Sequence, residues 1–132
     1  MATQVKYGFG KTVALGFDAA LEKVTQELAK EGFGILTEID VQATLKKKLG
    51  IDGLPYRILG ACNPPFAHKA LAAEPQIGLL LPCNVVVRQD EAGRVRVEFM
   101  DPEAVLKLVD LAEVAPIAAE VKARLQRVMA AL

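Results

Sequence analysis

Along the chain, two hydrophobic periods alternate, with Gly and Pro marking the changes. Residues 5–13, VKYGFGKTV, are rich in strand formers. Gly8 and Gly10 interrupt them, which predicts a strand that kinks or lies close to another backbone. Leu21, Val24 and Leu28 then recur at helical spacing. Asp18 is placed to cap that helix and Gly32 to stop it. FGILTEIDV alternates as a strand, with Phe33, Ile35, Thr37 and Ile39 on one face and Leu36, Glu38 and Asp40 on the other. Asp40 also suits the N-cap of a short helix whose stripe is Val41, Leu45 and Leu49. Lys46, Lys47 and Lys48 then fall at its negative dipole end, a solvated terminus and not a phosphate site.

After the loop GIDGLP, YRILGACN reads as a strand with Tyr56, Ile58, Gly60 and Cys62 on a common face. Asn63 suits an N-cap, and Pro64 and Pro65 a first turn that needs no amide donors. FAHKALAAE continues that helix to Pro75. IGLLLP and CNVVVRQD read together as one bent or interrupted strand. The turn DEAG leads into RVRVEFM, where Val95, Val97 and Phe99 alternate with Arg94, Arg96 and Glu98, so one side of the sheet meets water. Asp101-Pro102-Glu103 starts another helix. Ile117, Val121, Leu125, Val128 and Leu132 form the stripe of a long C-terminal one. Strands that cluster as hairpins, with long helices at either end, predict an α+β fold in which a largely antiparallel sheet carries helices on one face. The alternative is α/β with a mixed sheet.

Length and composition narrow the partners more than the chemistry. The 132 residues, 52% of them hydrophobic, suit a single domain, 1–132, around one core. No apolar run approaches the ~20 residues of a membrane span. MATQVKYGFG lacks the charged start and apolar core of a signal peptide, so the cytoplasm is expected. Sixteen basic and sixteen acidic residues cancel, which argues against nucleic acid as a partner. The apolar excess favours a homodimer.

Candidate chemistry gathers at two Cys-Asn pairs, Cys62-Asn63 and Cys83-Asn84, with the single histidine, His68, between them. Reduced thiols are expected in the absence of an export signal. Two cysteines and one histidine fall short of a four-ligand structural zinc site, although Cys62, His68 and Cys83 would allow a three-ligand one. A helix N-terminus beside Cys62 would lower its pKa. If the two strand ends are neighbours, the thiols and His68 define a site for a ligand, a soft metal such as Cu(I), or a redox event. Glu38, between Leu36 and Ile39, is a candidate buried acid. YGFGKT has neither spacing of the glycine-rich phosphate loops. No constellation names a reaction or a cofactor.

The order LGACNPPFAHKAL, GLLLPCNVVV, an acidic turn with glycine, then VEFMDPEAVL resembles the bacterial and archaeal family known as domain of unknown function 302. The resemblance extends from YGFGKTV through the long helices. It implies a small α+β domain similar to TATA-binding-protein-like folds, with helices against a curved antiparallel sheet, and it implies no activity. Fold likeness brings no DNA binding with it, because function belongs to sites. The expected role is a non-catalytic, homo-oligomeric small-ligand-binding domain. Glu38, Tyr56, Cys62, His68 and Cys83 are its candidate residues, and Tyr7 and Phe9 are further cavity lining. A thiol redox enzyme or soft-metal carrier using Cys62, Cys83 and His68 is the alternative.

Overall fold

The computed structural model describes residues 5–132. The leaderless reading of the N-terminus rests partly on residues outside that range. Five strands form one antiparallel sheet in the order β1-β5-β4-β3-β2, not closed into a barrel. They are β1 Gly8–Val13, β2 Gly34–Asp40, β3 Tyr56–Cys62, β4 Cys83–Gln89 and β5 Val95–Met100. The helices are α1 Phe17–Lys30, α2 Val41–Leu49, α3 Pro64–Ala73, α4 Pro102–Leu106 and α5 Ala115–Ala130. The α+β expectation holds, and every strand pairing is antiparallel. No helix is long and apolar enough to cross a membrane among the described residues.

Strand alternation sorts the sheet into two unlike faces. Leu59, Ala61, Val85, Val87, Val95, Val97 and Phe99 point to the covered face. There they meet Ala20, Val24 and Leu28 of α1 and Val121, Leu125 and Val128 of α5. Full burial of each large side chain stabilises by roughly 1.5–3 kcal/mol. Phe9 stacks on Phe99 with ring centroids 5.6 Å apart, which fastens edge strand β1 to the centre. Ala70, Ile77, Leu106, Val114 and Ala118 form a second cluster beneath α3 and α4.

Several local expectations change. α1 starts at Phe17 with Gly16 at its N-cap, and Asp18 lies in the first turn, where it favours the dipole without capping. A bulge between Ile35 and Thr37 resets the alternation of β2: Ile35 pairs with Ala61 on the covered side, and Thr37 with Gly60 on the other. IGLLL is not strand. Residues Pro75–Leu80 form a 3-10 helix, and β4 begins only at Cys83. Asn63 occupies the N-cap position of α3 but makes no side-chain cap there. Its Nδ2 donates to the Glu31 carbonyl at 3.2 Å, and Arg124 donates to the same oxygen at 3.0 Å. One unpaired carbonyl at the end of α1 thus ties together α1, the β3–α3 junction and α5. The stripe on α2 is not buried: Leu45 and Leu49 are exposed.

Candidate functional site

The sheet's other face is the more open one. Gly8, Gly10, Thr12, Arg96, Glu98, Met100, Asn84, Val86, Arg88, Tyr56 and Ile58, all half-buried or exposed, fall on it in successive strands, by the pairing register. A cleft of about 530 Å³ opens where β1, β5, β4 and β3 lie side by side. Tyr7, Val86 and Met100 give it apolar wall, while Tyr56, Asn84, Arg88, Arg96 and Glu98 bring polar groups together.

The register of the β4–β5 hairpin sets its electrostatics. Arg88 lies directly opposite Arg96, and Val86 opposite Glu98. Arg88 Nε donates to Glu98 Oε1 at 2.6 Å, and a second, longer bond of 3.5 Å reaches Oε2. Its hydrogen bond to the Glu98 carboxylate raises the Arg88 pKa further, so this guanidinium is always charged. Arg96 donates through its terminal nitrogen to Thr12 Oγ1 at 3.1 Å. Its Nε stands 3.6 Å from Glu98 Oε2, too far for a hydrogen bond, and is buried without a partner.

Glycines let β1 close this cleft. A Cβ on Gly10 would sit 2.5 Å from the Val97 carbonyl oxygen and 2.8 Å from Glu98 Cα. The predicted close backbone approach is therefore real, and it occurs at the cleft's rim.

The residues expected to form one site are divided. Tyr56 and Tyr7 line the cleft on the uncovered face, whereas Phe9 borders it only with its backbone and turns its ring to the core side against Phe99. Cys62 and Cys83 do meet, but on the helix-covered side, in a crevice of about 30 Å³ shared with Phe33, Phe66, Ala70 and Val121. That volume is too small for a metabolite. Burial pushes the Cys62 thiol up from its ordinary value instead of letting the helix end lower it. Cys83, more deeply buried and next to Cys62, is pushed up to about 11. His68 is exposed on α3 and lines neither space. No cluster of three metal-ligating side chains exists among the described residues. Glu38 is half exposed and bonds Arg57 at 2.6 Å, and Asp40 adds a 3.3 Å contact to the same guanidinium. It is a surface ion pair at the sheet edge, not a buried acid.

Sequence reasoning passed over Arg96 and Glu98 as water-facing charges and singled out Arg88 for nothing. The available signal was the hairpin itself: pairing the two strands across the DEAG turn sets two arginines opposite each other with one glutamate beside them.

The profile of the family described as "Domain of unknown function DUF302" matches residues 9–132. An uncharacterized conserved DUF302 protein from Bacillus stearothermophilus, known from a crystal structure, superposes with a TM-score of 0.87 at 28% identity. The superposition covers 95% of this chain and 97% of that one. No curated protein matches the chain.

Proposed function

Because this chain belongs to the DUF302 family, whose description names no activity, we propose its function from its own geometry: a non-catalytic, homo-oligomeric domain that binds a small molecule in the cleft on the uncovered sheet face. The observation that carries this reading is the cleft itself. Its volume of about 530 Å³ lies within the roughly 300–1,000 Å³ of small-molecule sites, and it joins apolar wall to a few convergent polar groups in the way such sites do.

The homo-oligomeric part rests on a different surface. Leu36, Ile39, Leu45, Leu49, Ile51 and Leu54 are all exposed on β2, α2 and the loop that follows, an apolar patch that a second copy of the chain would cover. The balanced charge supports a partner other than nucleic acid. Two free thiols suit a reducing compartment, and the reading places the domain, taken as residues 1–132, in the cytoplasm.

Amide NMR against a small-fragment library tests the ligand site. Shifts should gather on Gly8, Tyr56, Val86, Arg88 and Glu98. Shifts gathered at Cys62 and Cys83 would favour the alternative, a thiol enzyme or soft-metal carrier, and no shifts at all would reject a ligand site in the cleft. The shared crevice of the two cysteines supports that alternative; the raised thiols and the outlying His68 weigh against it.

A further inference from the structure

We infer that the occupant of this cleft is an organic anion with an apolar body, and that Arg96 is the group that receives its charge. The inference rests on the cleft being the ligand site. Two guanidiniums placed directly opposite on neighbouring strands repel each other, and Glu98 is the sole carboxylate lining the cleft among the described residues. Arg88 holds that carboxylate by two contacts, at 2.6 and 3.5 Å. Arg96 is left with Thr12, a neutral acceptor, and with an Nε whose one nearby oxygen is out of bonding reach.

A guanidinium has five N–H donors, and this one is largely desolvated, its side chain 13% exposed. Arg96 reaches Glu98 only through a 3.6 Å contact to a carboxylate that Arg88 already holds, so this desolvated charge is incompletely paired and the cleft is better satisfied with an acceptor than without one. A planar fork suits an acid group such as a carboxylate, which it can bind through parallel hydrogen bonds. Beyond Arg88, Arg96 and Glu98, the rest of the space, along Tyr7, Val86 and Met100, offers apolar contact and no further charge. A cationic ligand would meet a net positive lining, and a neutral one would leave Arg96 as it is.

Octanoate and 1-octanol share a chain and differ in the head group, so together they separate charge from apolar fit. Isothermal titration calorimetry of the full chain at low salt should show octanoate bound about tenfold or more tightly than octanol, the scale of a hydrogen bond to a charged group. Arg96→Gln should reduce octanoate to the affinity of octanol and leave octanol binding unchanged, which also shows that the variant folds. Arg96→Lys should keep part of the preference. Amide shifts on octanoate addition should include Arg96 and Glu98. Equal affinity of the two probes in the unsubstituted protein would overturn anion selection while leaving the cleft as a ligand site. Undiminished octanoate binding in Arg96→Gln, or shifts that lie elsewhere, would overturn the role of Arg96. Binding of neither probe would overturn both the inference and the reading beneath it.

Discussion

At Gly10 and Gly60 a single methyl group decides whether two strands can meet. A Cβ at Gly60 would run into Thr37 Oγ1 and approach Pro82 Cγ to 2.8 Å, and one at Gly10 would meet β5 backbone. Gly34, also in a strand, has nothing within 4 Å of that position. Gly10→Ala and Gly60→Ala should therefore each cost roughly 1–3 kcal/mol in urea unfolding, as overpacking does, while Gly34→Ala stays close to the parent. The thiols give a second expectation. A protonated thiol is a poor nucleophile, so at pH 8 Cys83 should react with a disulfide reagent only upon unfolding, and Cys62 more slowly than a free cysteine. Fast labelling of Cys83 in the native protein would contradict the burial described. These outcomes show where residue-level reading succeeded and failed. Glycines in YGFGKTV announced a close approach because only backbone chemistry was needed to see it. The pKa of Cys62 depended on how deeply neighbouring elements covered it, which spacing along a chain does not encode.

Among elements, the β4–β5 hairpin combines clear local signals with a measurable pH dependence. Asp90 accepts the backbone N–H of Arg94 and of Ala92 and also pairs with the Arg94 guanidinium. Those contacts, the Arg94 backbone bond foremost, hold its carboxyl below the usual range. A lowered folded-state pKa gives stability that is complete above the unfolded value of about 3.9 and is lost as pH falls through the folded one. Urea midpoints measured from pH 6 down to 2 should fall less steeply for Asp90→Asn than for the parent, from a lower starting point. α5 makes a simpler case. Leu125 is fully buried, and Leu125→Ala should cost about 2–5 kcal/mol. His68→Ala on exposed α3 should stay within about 0.5 kcal/mol. Such elements were readable because propensity, cap and period agreed. The 3-10 segment at 75–80 was not, since a short apolar run between prolines satisfies strand and helix patterns alike. The β2 bulge was hidden for a related reason: an alternating sequence does not record the one residue left out of the pairing.

For the molecule as a whole, the sheet has one buried face and one open one, and these have separate consequences. The family and the α+β architecture were legible from motif order and from the contrast between strand and helix periods. The cleft was not, because its polar groups come from separate strands and become a site only through cross-strand register. The exposed apolar patch on β2 and α2 bears on assembly. Native mass spectrometry should give a dimer mass, and Leu49→Glu should shift the population to monomer without moving the unfolding midpoint of the isolated chain. A monomer at all concentrations in the parent would remove the homo-oligomeric part of the proposal.

The position of β1 carries a last consequence, in the order of events during folding. β2 to β5 join neighbours along the chain, whereas β1 must find β5 from the opposite end of it. Loop closure over such a separation delays that pairing relative to the local hairpin. The arginine pair and Glu98 can thus be in register on β4 and β5 while the glycine rim is still absent. Binding competence should emerge only in the final kinetic phase of refolding, after most of the helix signal has returned, so that a ligand would read out whether the chain has finished.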